Sequence, residues 1–179
     1  MSFRYEIRLS GAGGQGLILV GKIIAEAAAI YDDKNATQSQ SYGPEARGGA
    51  SRSEVIISDG DIDYPKATDI DLLLAMTQEA ADKYAGEVKS GGIIVADSDF
   101  VKSPPEGDFA VHCLPITQIA EEKVGKKITA NLVALGMIHK LSGVISEESV
   151  INAIRARVPR GTEEVNIQAF KHGQDLVDT

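Results

Sequence analysis

YEIRLSGAGGQGLILV, residues Tyr5 to Val20, decides how the rest of the chain is read. Its first part, Tyr5-Glu6-Ile7-Arg8-Leu9, alternates bulky and charged side chains, the period-two pattern of a strand. Four glycines follow in six positions: Gly11, Gly13, Gly14 and Gly16, with Gln15 between the last two. Beyond them, Leu17 to Tyr31 carries only Lys22 and Glu26 as charges, four apart, which predicts a helix with a narrow wet stripe. A strand, a glycine turn and a helix together can set backbone N–H groups and a helix N-terminus against a phosphate. Gly11, Gly13 and Gly16 fit the dinucleotide spacing G-x-G-x-x-G, a weak signal when it stands alone.

A dinucleotide site asks for an acidic side chain at the end of the second strand, where it bonds the ribose hydroxyls. Asp32 and Asp33 lie at about the right distance in sequence, but they precede the next extended stretch, Asn35 to Tyr42, instead of closing it. The end that needs the acid reads Ser41-Tyr42-Gly43-Pro44. Two other readings of the glycines stay open. They let an Ala-rich helix (Ala25, Ala27, Ala28, Ala29) pack closely on a sheet, or they shape a surface for an anion or a partner.

The chain has 179 residues, 43% of them hydrophobic, which suits one domain with a substantial core. Its formal net charge of -8, with no run of Lys or Arg, argues against nucleic acid or an anionic membrane as partner. The longest apolar stretch is interrupted by Lys22 and Glu26, so no membrane span is expected, and the first residues lack the regions of a signal peptide. The expected location is the cytoplasm. Cys113 is the only cysteine, which leaves no disulfide, Cys-rich zinc site or iron–sulfur cluster for this chain to hold by itself. Lying in the extended run Phe109 to Leu114, it reads as a core thiol. His112, His139 and His172 are scattered and give no ligand spacing.

Further along, the pattern alternates. Glu54 to Ser58 reads as a strand, and Asp59-Gly60 as a turn leading to a second strand at Asp61 to Tyr64, hence a hairpin. Asp71 to Ala75 is a short apolar run of the buried parallel type. Gln78 to Val88 looks helical, Gly92 to Ala96 and Phe109 to Leu114 extended, and Ile116 to Val124 helical. Asp59-Gly60-Asp61 faintly resembles the start of a thiamine diphosphate site. However, its order is inverted and no Asn occurs between Asn35 and Asn131 to help hold a magnesium ion, so turn chemistry accounts for it. Thr129 to Leu141, Ser146 to Val158 and Thr162 to Val177 read as helices with Thr or Ser caps. The fold expected is α/β: a mostly parallel sheet with helices on both faces, a β-hairpin elaboration and C-terminal helices, in a single domain spanning 1–179. The last helix is amphipathic and docks on this domain or on a neighbour.

Gln38 to Ser53, QSQSYGPEARGGASRS, has almost no aliphatic side chains, yet it sits between core elements. Idle loops rarely run this long in a compact domain. Gly43, Gly48 and Gly49 free its backbone, Pro44 fixes it, and Arg47 and Arg52 offer forked donors to carboxylate or phosphate.

GAGGQG after the first strand, followed by SQSYGPEARGGASRSEVIIS, closely resembles the gamma subunit of 2-oxoacid:ferredoxin oxidoreductases, over essentially the whole chain. Tyr42 to Ala50 is more like the 2-oxoglutarate type than the pyruvate type, in which a second Arg follows the Glu and a single Gly precedes Ala-Pro. The resemblance implies a non-autonomous subunit of an enzyme that decarboxylates a 2-oxoacid oxidatively. Coenzyme A takes the acyl group and ferredoxin takes the electrons. It further implies alpha, beta and ferredoxin-like partner chains, with thiamine diphosphate, magnesium and iron–sulfur clusters held outside this chain. On that reading Gly11, Gly13, Gly14, Gln15, Gly16 and Arg47 are the candidate cofactor contacts, toward coenzyme A or a partner surface, and no residue here is catalytic. The isolated chain is expected to pair with itself. Two alternatives remain: a stand-alone Rossmann-like nucleotide-binding oxidoreductase, and a purely structural assembly subunit.

Overall fold

The strand at the head of the chain runs from Arg4 to Ala12 (β1) and lies inside the sheet, with every residue from Glu6 to Gly11 buried. This computed structural model describes residues 3–42 and 49–178. After the glycine turn, helix α1 spans Leu17–Glu26 and ends in a π-helical turn, Ala27–Tyr31, matching the expected helix. β2 (Asn35–Tyr42) and β3 (Ala50–Ser58) follow, then β4 (Ile70–Ala75), α2 (Gln78–Tyr84), β5 (Val88–Asp97) and β6 (Phe109–Leu114). A short α3 (Ile116–Ile119) precedes α4 (Ala130–Ser142), α5 (Glu147–Arg157) and α6 (Glu163–Val177). The six strands form one sheet in the order β2-β3-β1-β4-β5-β6. β1, β4, β5 and β6 are parallel, while β3 runs antiparallel to both β1 and β2.

Alternation along the strands sends side chains to two unequal cores. Ile7, Leu9, Val55, Ile57, Leu72 and Leu74 face the larger one, beneath α1, α4, α5 and α6. Ile70, Leu73, Ala75, Ile94 and Ala96 face the smaller one, beneath Ala80, Ala81 and Tyr84 of α2. α6 docks on α4 of the same sheet. Gly136 and Gly173 lie face to face there, and a Cβ on either would run into the backbone of the opposite helix. Cys113, expected in the core, is only half-buried on the edge strand β6.

The expected hairpin exists, but in another place. It is β2–β3, with Asn35 opposite Ser58 and Tyr42 opposite Ser51, so both ends of the polar stretch Gln38 to Ser53 are strand rather than loop. A polar sequence can serve because β2 is an edge strand, held by its backbone ladder with little need of apolar side chains. Asp61 to Tyr64 is not a strand. β3 already has β1 on one side and β2 on the other, so no edge is left for a further strand to join. At Asp59-Gly60 the chain leaves the sheet instead. Asp59 Oδ1 accepts from Phe3 N at 2.8 Å, and Gly60 N donates to Ser58 Oγ at 3.0 Å. The departing segment is fastened over the second face by Arg8, 3% exposed, which donates to Ala67 O (3.1 Å) and Glu87 Oε2 (2.7 Å) and lies over the Tyr84 ring. Gln78 to Val88 is helical almost to its expected end: α2 runs to Tyr84, a 3-10 turn continues over Ala85–Glu87, and β5 begins at Val88.

Asp32 follows the π-helical turn of α1 and reaches the start of α5. It accepts from Ser146 N (2.9 Å), Ser146 Oγ (2.9 Å) and Ser149 Oγ (2.7 Å), so the side chain a ribose would need is committed to joining two helices. Burial pushes its carboxyl up, but the hydrogen bonds from Ser146 and Ser149, with Lys34 nearby, outweigh that and hold the pKa down to about 2. Because the folded pKa lies below the ordinary value of 3.8, the stabilisation is complete above about pH 4 and is lost as pH falls through about 2. Asp32→Ala should therefore cost about 1–2 kcal/mol at neutral pH. In denaturant melts the gap between variant and wild type should close as pH is lowered from 4 to 2, and a gap that persists unchanged at pH 2 would contradict this account.

Candidate functional site at the carboxyl edge of the sheet

β1 and β4 are parallel neighbours, but the chain leaves their carboxyl ends in opposite directions, into α1 on one face and α2 on the other. Such a switch point opens a crevice at the sheet's edge, and the glycine turn lies across it. Gly13 N donates to Gly49 O at 2.7 Å, which ties the turn to the start of β3. Gly14 (φ 86°) and Gly16 (φ 75°) are the left-handed residues of the turn, a conformation that side chains with a Cβ rarely adopt. Gly11 has no room for a Cβ beside the Gln15 amide and Met76.

Gln15, read from sequence as a ligand contact, turns its side chain back into the turn. Its Oε1 accepts from Ala12 N at 2.7 Å, and its Nε2 donates to Met76 O, just past β4, at 3.4 Å. On the other side Asn131, in the first turn of α4, donates through Nδ2 to Gly16 O at 3.2 Å. Nothing in the sequence pattern marked Asn131, since its partner lies 115 residues away. Arg47, Gly43, Pro44 and Gly48 lie outside the described residues, whereas Arg52 is on β3, paired with Glu54.

Two clefts open beside the turn. One, of about 380 Å³, is lined by Gly14, Gln15, Met76, Phe100, Lys127 and Ile128 among others. The second, of about 260 Å³, takes in Gly14 to Gly16, Lys126, Thr129 and Asn131. Ile128 is 81% exposed and Phe100 44%, so the rim is apolar as well as basic. Lys126 and Lys127 are exposed and make no ion pair among the described residues.

The starts of α1 and α4 differ from those of α2, α5 and α6. α1 starts at Gly16 and α4 at Thr129, neither with a side-chain cap, and neither helix has an acid in its first turn. The Thr129 hydroxyl bonds backward to Lys126 O. By contrast α2 and α5 are capped by Thr77 and Ser146, and Glu79, Glu147, Glu148, Glu163 and Glu164 occupy the first turns of α2, α5 and α6. Negative charge is thus absent from the first turns of α1 and α4, where unsatisfied N–H groups and the helix dipole favour an anion, whereas the start of α6, which reaches the second cleft at Thr162, carries Glu163 and Glu164.

Asp97, at the carboxyl end of β5, is fully buried and accepts from Thr117 Oγ1 at 2.5 Å and from Asp99 N at 3.1 Å. Burial pushes its carboxyl up. Burial first, and then Asp97, also push the Cys113 thiol up, which leaves it protonated and unreactive at neutral pH. Among the described residues no three His, Cys, Asp or Glu are grouped so as to hold a metal, and no helix is long and apolar enough to cross a membrane. The side chains among the described residues do not fit thiamine diphosphate with magnesium, or an iron–sulfur cluster.

A family model described as pyruvate ferredoxin/flavodoxin oxidoreductase matches residues 6–176. The 2-oxoglutarate synthase subunit KorC of Methanocaldococcus jannaschii is 49% identical over 178 residues, covering 98% of this chain and 95% of that one. Among solved structures, a keto/oxoacid ferredoxin oxidoreductase gamma subunit from Geobacter sulfurreducens PCA superposes with a TM-score of 0.90 at 53% identity, covering 97% of this chain and 96% of that one. The fold also recurs within a longer chain of a 2-oxoglutarate:ferredoxin oxidoreductase from Magnetococcus marinus, with a TM-score of 0.86 at 24% identity, covering 98% of this chain and 31% of that chain. The chain belongs to the pyruvate ferredoxin/flavodoxin oxidoreductase family and corresponds to its gamma subunit.

Proposed function

We propose that this chain, as one domain over its whole length, is the gamma subunit of a cytoplasmic complex that converts 2-oxoglutarate and coenzyme A to an acyl-CoA and CO2 while reducing ferredoxin. Its contribution is to receive the nucleotide end of coenzyme A at the glycine turn. The observation that carries this is the convergence of two uncapped, acid-free helix N-termini with Lys126 and Lys127 on adjoining clefts, in a chain of net charge -8. Coenzyme A presents three phosphates, an adenine and a flexible pantetheine arm with a gem-dimethyl group. The N-termini and lysines suit the phosphates, and Met76, Phe100 and Ile128 suit the adenine or the arm. The KorC name of the relatives favours 2-oxoglutarate as the oxoacid, and the Magnetococcus enzyme, which shares the fold, is described with 2-oxoglutarate, coenzyme A and succinyl-CoA bound. Alpha, beta and ferredoxin-like partners supply thiamine diphosphate, magnesium and the iron–sulfur clusters.

This assignment has a direct test. The purified subunit should show no 2-oxoglutarate-dependent dye reduction, and adding the partner chains should restore it; turnover by the isolated chain would refute the subunit reading. The exposed Ile128 and Phe100 should also promote self-association of the isolated chain, seen by light scattering at micromolar concentration.

Lys126→Ala and Lys127→Ala should each leave the melting of the subunit unchanged, since exposed cations add little to stability, and Arg47→Ala is expected to do the same. In the reconstituted complex, each lost phosphate contact should raise the KM for coenzyme A by about ten- to a hundredfold, equivalent to roughly 1.5–3 kcal/mol. Unchanged KM values in both lysine variants would place coenzyme A elsewhere.

A further inference from the structure

We infer that Asn131 is a positioning residue for coenzyme A use: it fixes the mouth of the site by tying the first turn of α4 to the glycine turn, without being a ligand contact itself. The inference rests on the coenzyme A reading above.

The glycine turn is poorly determined by its own sequence. Gly14 and Gly16 bring no side chains, and glycine backbones lose the most freedom on ordering. Gly16 is the residue from which α1 starts, and it has nothing with which to cap that helix. Groups from outside must therefore hold the turn. Gln15 Oε1 binds Ala12 N, Gln15 Nε2 reaches Met76 O just past β4, and Gly13 N binds Gly49 O just before β3, so these anchors all lie at the ends of sheet strands. Asn131 is the side chain that reaches the turn from the helical layer, through Nδ2 to Gly16 O at 3.2 Å. That same carbonyl accepts the opening helical bond of α1, from Val20 N at 3.3 Å. One oxygen thus joins the start of α1 to the start of α4, two N-termini that face the clefts.

Three features make Asn131 a brace rather than a contact. It is 5% exposed, its Nδ2 is committed to Gly16, and its Oδ1 accepts from Leu132 N at 3.0 Å. Residue 16 is also shaped to receive it, because a Cβ there would collide with the Asn131 amide. The brace is stiff at its far end, where the glycine contact between α4 and α6 leaves no slack between those helices. Removing it frees the two N-termini to shift relative to each other, and a phosphate that needs both is the group that registers the shift.

The test is steady-state kinetics of the reconstituted complex carrying Asn131→Leu, which keeps the volume and introduces no charge into the cleft, and Asn131→Ser, whose hydroxyl is too short to reach Gly16. Both should raise the KM for coenzyme A by about tenfold, the scale expected when a bound group is misplaced by a fraction of an ångström. The kcat and the KM for 2-oxoglutarate should stay within about twofold of wild type. A merely structural residue would instead lower the yield of assembled complex and the kcat, leaving the KM for coenzyme A unmoved; that result in either variant overturns the inference. Lys127→Ala, run alongside, distinguishes failure of the brace from failure of the site. If it raises the KM for coenzyme A and the Asn131 variants do not, the brace is wrong and the site stands. If neither it nor Lys126→Ala raises that KM, the site itself is wrong.

Discussion

The carboxyl edge of this sheet depends on a backbone that turns from β1 into α1 through two left-handed residues, Gly14 and Gly16. An L side chain at either position would oppose that conformation, and at Gly16 it would also meet Asn131. Because the turn carries no bulk, α1 can begin directly at the mouth of the crevice, and α4 can be laced to it by a single amide. The clefts, the exposed lysines and the uncapped helix ends are all consequences of that geometry. A bulkier turn would push α1 away and close the switch point.

Charge is distributed to the same end. In an acidic chain the simplest arrangement places carboxylates at every helix N-terminus, where the dipole rewards them. Here α2, α5 and α6 follow that rule, whereas α1, α4 and the single-turn α3 do not. Near the site Asp97 is sealed beneath Thr117, while at the far end of α1 Asp32 is used to join that helix to α5. At the starts of α1 and α4 the charged groups are Lys126 and Lys127, so an anion there meets cations and backbone N–H groups despite the overall charge.

The second face of the sheet shows a different economy. α2 covers β1 and β3 only in part there, with its Tyr84 ring beside Arg8 and Arg52. Arg8, among Glu54, Glu87 and the Tyr84 ring, fastens the segment that follows β3. A buried guanidinium is costly unless its charge is met, and here two carboxylates and the carbonyl of Ala67 meet it. This anchoring frees Asp61 to Tyr64 from the sheet without exposing Ile56, which is 1% exposed.

The sequence by itself determined the elements whose signal is local. β1, α1, β4, β6 and the three C-terminal helices are legible in hydrophobic period and glycine punctuation, though of the expected caps Thr129, Ser146 and Thr162 only Ser146 bonds the helix N-terminus. The glycine turn is legible as a place for an anion or a partner. Pairing is not a local property. That both ends of Gln38 to Ser53 are strand, and that Asp59-Gly60 leads out of the sheet, follows from which edges remain free once β1 and β3 have paired. Asn131 and Lys126 belong to the site for the same reason: α4 returns to the switch point only when the sheet is assembled and α6 has packed against it. A residue 115 positions from its partner leaves no periodic trace, so tertiary structure alone decided that an asparagine on α4 holds a glycine at the head of α1.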